Sequence, residues 1–299
     1  MTDPINTTTW RQRMRSYRKH PGSLLLLALV CLAALITAAA LLFVVGYILV
    51  KGIPNLSLSL FEWKYTTENV SLMPALINTL FMTVLALLFA VPVGIGAAIY
   101  LTEYATRGNK LVNLMRITAE TLSGIPSIVY GLVGMIVLVP AIQRFFGLPS
   151  GASLLAAILV LAVMILPSVI NVAATALEAV PKEYEEASLA LGATEMETWF
   201  RVSLPAARSG VATAIVLGVG RAIGEAMAII MVSGNVPNLP ESLFTPVRFL
   251  TTAIASEMSY AAEGSLQRMA LYSIGLILFL FILCINAALN FFVKRERRG

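Results

Sequence analysis

The sequence predicts an all-α polytopic membrane protein with six transmembrane helices, on three observations: its composition, its long apolar runs and the placement of its cations. Of 299 residues, 58% are hydrophobic and only 12% charged, and the mean hydropathy is +0.85. Soluble domains carry about 25% charged residues, so this chain has too little polar surface for a life in water. The apolar runs cover residues 24–50, 74–101, 124–142, 153–177, 211–233 and 269–293. Each can cross about 30 Å of hydrocarbon as a helix rising about 1.5 Å per residue.

The cations give the orientation. Fifteen of the 21 Lys and Arg residues fall in an N-terminal arm (Arg11, Arg13, Arg15, Arg18, Lys19), the second-to-third connection (Arg107, Lys110, Arg116), a polar island (Lys182, Arg201, Arg208) and the tail (Lys294, Arg295, Arg297, Arg298). Five lie on the opposite side, at Lys51, Lys64, Arg144, Arg248 and Arg268. The positive-inside rule places both termini and the island in the cytoplasm. The net charge of +5 is explained by these membrane flanks and calls for no nucleic acid.

The first run follows a basic arm and contains the small residues Thr37 to Ala40, the ingredients of a cleaved signal peptide. Its length is about twice the usual 7 to 15 residues, so it reads as a retained helix, and cleavage would leave the sidedness of the others unchanged. Cys31 and Cys284 stand inside predicted spans without CxxC spacing and suggest neither a disulfide nor a metal site. His20 sits among cations at the membrane edge, and the sequons at Asn6 and Asn69 are short enough to arise by chance.

No fixed-period repeat or low-complexity tract interrupts the chain. The expected layout is a leading arm, helix and outer loop over 1–70, a membrane domain over 71–293 with a cytoplasmic loop at 181–208, and a basic tail over 294–299. Pro92, with Gly94 and Gly96, predicts a bend in the second span, and Ser123-Gly124-Ile125-Pro126-Ser127 opens the third. The outer connection 234–268 is the longest extracytoplasmic segment, and 246–262 reads as a short helix within it.

Residues 186–205, EASLALGATEMETWFRVSLP, form the polar island between apolar runs. Lys182 to Ala190 is rich in Glu and Ala and predicts a short helix started near Pro181. Gly192 suits a left-handed turn, and Thr194 with Glu197 predicts a capping box that begins a second short helix. Two short helices joined at a glycine make a rigid knob able to transmit force; the alternative is a solvated loop lying on the membrane surface. The spacing of Glu186, Ala187, Ser188, Gly192, Ala193, Leu204 and Pro205 resembles the EAA loop of binding-protein-dependent ABC importers, with Ser188 and Val202 as mild departures from it. The resemblance implies the type I ABC importer permease fold and assigns these residues to coupling with an ATPase. The chain has no G-x-x-x-x-G-K-[ST] phosphate loop, so hydrolysis falls to a separate protein.

Arg221 and Glu225 are the clearest ionisable residues within an apolar run. Facing lipid they would cost several kcal/mol each, so they are expected to face inward. Arg221 lies about 16 Å above Gly210 at helical rise, near the midplane, and the i, i+4 spacing predicts that it pairs with Glu225. A guanidinium there offers a permanent charge and a planar fork suited to an oxyanion; the alternative is a structural bridge between helices. Gly220 and Gly224 make a G-x-x-x-G face that lets membrane helices approach closely.

The runs from Gly124 to Gly131 and from Gly220 to Met227, with the island, are similar to the permeases of Pst-type high-affinity phosphate importers. Of the two related permeases in such importers, PstA and PstC, the likeness is greater to PstC. It implies a bacterial inner-membrane component that passes inorganic phosphate through Arg221 and Glu225 and performs no catalysis itself. It implies a second permease, a dimeric ATP-binding partner carrying ATP and Mg, and an extracytoplasmic phosphate-binding protein met by the outer loop. This chain is expected to bind no cofactor and no metal. The competing readings are a permease for sulfate, molybdate or phosphonate, a gradient-driven transporter with Glu225 as proton carrier, and a non-transporting scaffold.

Overall fold

The computed structural model describes residues 21–103 and 110–296. The basic arm with His20 and the Asn6 sequon, Arg107, and tail residues Arg297 and Arg298 lie outside them. The chain divides at Lys51 into two compact units. The described part of the first is nearly all of helix α1 (Pro21–Gly52). Its Leu, Ala and Val residues run around every side, with a mean hydropathy of 2.9 in its most apolar window, as a lipid-crossing helix requires.

The second unit is helical throughout its described residues apart from loops and one isolated bridge. Helix α2 (Met73–Glu103) continues through Pro92. A further helix, α3 (Lys110–Gly124), occupies what the sequence predicted as a connection; it buries Val112 and Ala119 on one side and exposes Leu114 and Ile117 on the other. The chain then breaks at Ile125–Pro126 and enters α4 (Ser127–Phe146), which widens into a π turn at Gly134–Leu138. Helix α5 (Leu154–Glu178) is the centre of the bundle, with 56% of its most apolar window buried.

The start of α5 shows how backbone donors are satisfied at a buried helix end. Ser153 caps it by accepting from the Ala156 amide at 3.3 Å, and the Ser153, Leu154 and Leu155 amides donate to the carbonyls of Val232, Thr245 and Leu243. The orphan amides of the first turn thereby fasten the outer loop to the bundle. Ile158, Leu161, Met164 and Ile165 of α5 then form one core with Met82 and Ala86 of α2 and with Ala222, Ile229 and Phe249.

After α5 come two short helices, α6 (Lys182–Ala190) and α7 (Glu195–Ala206), then α8 (Arg208–Gly224), bent by 71° from α7. The expected fifth span, 211–233, is not one helix. It stops at Gly224, passes through Glu225 in extended backbone, and resumes as α9 (Met227–Val232). Five described helices are long and apolar enough to cross a membrane, and a sixth if a bent pair counts as one span. The outer loop contains α10 (Leu250–Glu257), inside the segment expected to be helical, and α11 (Leu266–Glu296) closes the fold.

The segment from Gly52 to Val70, grouped by sequence with the leading arm, packs into the second unit. Leu60 and Val70 are buried with Leu72, Leu250, Leu271 and Ile274. Nearby, Arg248 forms an ion pair with Glu257, the two side chains being 15% and 16% exposed. Arg248 also donates to the Asn235 carbonyl at 3.3 Å and lies 5.8 Å from the Tyr65 ring centre, joining three parts of the outer face.

Candidate functional site

The first candidate site is the knob formed by α6 and α7. Gly192 sits at φ +88°, the left-handed region that a β-branched residue resists. Thr194 and Glu197 form the predicted capping box: the Glu197 amide donates to Thr194 Oγ1 at 3.3 Å, and the Thr194 amide donates back to Glu197 Oε2 at 3.1 Å. Those donors, the backbone amide foremost, hold the Glu197 carboxyl below its ordinary value. Two side-chain bonds lock the short helices together. The Ser188 and Thr198 hydroxyls meet at 2.9 Å, and Ser203 donates to Glu185 at 3.1 Å.

The sequence-predicted residues divide by position. Glu186, Ala187, Gly192 and Pro205 are exposed, Ser188 and Ala193 are half-buried between the helices, and Leu204 packs with Ala207 and Val211 against Ala98 and Leu177. What the sequence reading missed is the apolar crown: Tyr184, Leu189, Met196 and Phe200 are exposed, and Leu191 is 90% exposed. Its signal was present, since large apolar residues interrupt a polar island.

The second candidate site lies within the bundle at Arg221, about 20 Å from Arg208 along the same unbroken helix. Its Nη1 donates to Ser168 Oγ of α5 at 2.6 Å. The other four N–H groups of the fork have no partner among the described residues. Tyr130, which spans the α3–α4 break by donating to the Leu122 carbonyl at 2.7 Å, is close enough to Arg221 to feel its charge.

Glu225 does not pair with Arg221, contrary to the i, i+4 expectation. The reason is the helix break: with Glu225 in extended backbone, the helical spacing no longer applies. Its Oε1 instead accepts from the Ala228 amide at 3.0 Å, capping α9, and its carbonyl accepts from Thr251 of α10 at 2.7 Å. The backbone groups freed at the break are thus satisfied within protein, as an apolar surrounding demands.

Gly220 and Gly224 do not mediate close packing within the described residues. A Cβ at either would meet nothing within 4 Å, whereas one at Gly210 would lie 2.2 Å from Ala176 Cβ. Close approach of α8 to α5 is made at Gly210, and the Gly220–Gly224 side of α8 is left open. No group of three or more potential metal ligands occurs among the described residues.

A broken, kinked bundle carrying an exposed knob between its membrane helices defines a membrane permease. A family profile described as "Binding-protein-dependent transport system inner membrane component" matches residues 90–298, and the chain belongs to that family. It is 41% identical over 268 residues to the probable ABC transporter permease protein YqgH of Bacillus subtilis, covering 87% of this chain and 86% of that one. It is 38% identical to the phosphate transport system permease protein PstC of Pasteurella multocida, covering 73% of each. Among solved structures, a bacterial alginate ABC transporter bound to its periplasmic protein superposes with a TM-score of 0.66 at 16% identity, covering 94% of this chain and 98% of the other. The inward-facing MetNI methionine ABC transporter gives 0.56 at 23% identity, covering 73% and 93%. The fold is that of type I ABC importer permeases, and the chain is an inner-membrane transport component.

Proposed function

We propose that this chain is the PstC-type permease of an importer that moves inorganic phosphate into the cell on ATP hydrolysed by a separate protein. The observation that carries the reading is the state of Arg221: a guanidinium inside an apolar bundle, held by a neutral hydroxyl and, among the described residues, by no carboxylate, with most of its fork unused. A charge so placed is costly unless an anion or water answers it, and the fork matches an oxyanion. The names of the PstC relatives favour phosphate among oxyanions and PstC over PstA.

In this reading Arg221 contacts the anion and Glu225 shapes the site by holding the break open at α9. Glu186, Ala187, Gly192 and Pro205, with the apolar crown around Leu191, meet a dimeric ATPase that carries ATP and Mg. Ser188, Ala193 and Leu204 keep the knob rigid. The open face at Gly220 and Gly224 receives a second permease, and the outer loop receives an extracytoplasmic phosphate-binding protein. This chain has no catalytic role and binds no cofactor. Both termini and the knob are cytoplasmic, as the cation bias requires.

Uptake of labelled phosphate by the assembled complex tests the reading. It should require ATP, survive collapse of ion gradients, and yield to excess phosphate but not to sulfate, molybdate or phosphonate. Equal competition by sulfate would move the assignment to another oxyanion, and collapse with the gradient would return it to a secondary transporter.

A further inference from the structure

Hydroxyls on the membrane helices of this chain usually return their proton to their own backbone. Thr79, Thr102, Thr175, Thr213 and Ser273 all donate to the carbonyl four residues earlier, the ordinary habit of Ser and Thr in helices. Ser168 does not. Among the described residues its one bond is that accepted from Arg221, so its own O–H meets no acceptor there. An unused hydroxyl donor therefore stands 2.6 Å from a guanidinium with most of its N–H donors unused.

Ser168 also begins a polar face. Ser168, Asn171, Thr175 and Glu178 follow one another at i, i+3, i+7 and i+10 along α5, a spacing that keeps them on one side of a helix. The last three line a cavity of about 210 Å³ at the Glu178 end, together with Arg116 and Glu120. The polar side of α5 thus continues from Arg221 to an open cavity at the end of the helix.

We propose that Ser168 is a second anion-binding residue of the pathway, an inference that rests on the proposed role of Arg221. In the empty site its oxygen accepts from Arg221 and fixes the plane of the fork. When the anion arrives, the guanidinium turns its donors to the anion's oxygens, and the Ser168 hydroxyl donates to one of them. Convergence of charged and neutral donors on one tetrahedral anion sets a geometry that a larger anion fits less well.

The test uses the complete complex, reconstituted with its partner proteins, comparing Ser168→Ala, Ser168→Cys and Ser168→Thr with Arg221→Gln. Loss of a hydrogen bond to a charged group predicts about a tenfold fall in phosphate transport for Ser168→Ala at saturating binding protein. Ser168→Cys, nearly the same shape with a weak donor, should fall as well, and Ser168→Thr should keep most of the rate. Phosphate–arsenate competition should shift toward arsenate in the alanine and cysteine variants, the binding protein being unchanged. A role confined to packing would lower both anions alike with no rescue by threonine, and that result overturns the proposal. Normal transport by Ser168→Cys, with Arg221→Gln inactive, overturns it and leaves the phosphate reading standing; normal transport by both defeats both. Should Ser168→Ala fail to assemble, the cysteine and threonine variants decide.

Discussion

Ser203 donates to the Glu185 carboxylate at 3.1 Å, and this bond fastens the first short helix of the knob to the end of the second. With the Ser188–Thr198 contact beside it, the knob is braced at two levels and moves as one piece. Its exit, through Leu204 and Ala207, packs on the ends of α2 and α5 and leads into α8, the helix that carries Arg221. Displacement of the knob therefore bears directly on the pathway residue.

Gly192→Val tests the knob as a coupling element. The native φ of +88° costs an L-residue about 1–2 kcal/mol, and a β-branched side chain resists it further, so the turn should shift while the membrane helices insert normally. ATP hydrolysis by the assembled complex should become uncoupled from phosphate uptake. Wild-type coupling ratios in this variant would remove the knob from the mechanism.

The capping box predicts a titration. The Thr194 amide and hydroxyl hold Glu197 below its ordinary value, so the box adds stability at and above that value and loses it as pH falls through the lowered one. At neutral pH it is fully formed. Carboxyl NMR of Glu197 should show a depressed midpoint that Thr194→Ala returns part of the way; an ordinary midpoint in both proteins would contradict the box.

These features of the knob were legible in the sequence because each is local: a glycine, a cap and its partner follow one another closely along the chain. The interruption of the fifth span was not. Glu225 leaves the helix with its carbonyl taken by Thr251, which stands on α10 beyond the outer loop, a partner that no periodicity reveals. The expected Arg221–Glu225 pair failed for the same reason, since it assumed a continuous helix. Helix α3 was missed because its low hydropathy reads as a connection, although Val112 and Ala119, two helical turns apart, mark its buried side. Ser168 was hidden as one small polar residue in an apolar run; its position directly after Pro167 and one turn before Asn171 was the available signal.

The outer face makes a stability prediction. Glu257→Ala leaves Arg248, largely buried, without its counter-charge, and the loss should be about 3–5 kcal/mol. The double change Arg248→Met with Glu257→Leu should restore much of it, because well-packed apolar residues replace a buried pair at little cost. Thermal unfolding of the purified complex measures both. A single variant as stable as the wild type would show that the pair does not clasp the outer loop.

Sidedness is tested with single cysteines in a background lacking Cys31 and Cys284. A cysteine at Thr194 should react with impermeant reagent only from the cytoplasm, and one at Asn238 only from outside. Labelling of both from one side would overturn the orientation.

The central claim is that Arg221 serves an anion and not Glu225, and transport by three variants tests it most directly. Arg221→Gln should abolish most phosphate uptake with assembly intact, and Arg221→Lys, which keeps the charge without the planar fork, should retain part of it. Because Glu225 caps Ala228 instead of pairing with Arg221, adding Glu225→Gln to Arg221→Gln should recover nothing. Near-normal uptake by that double variant would contradict the account and make the arginine a structural partner of the carboxylate.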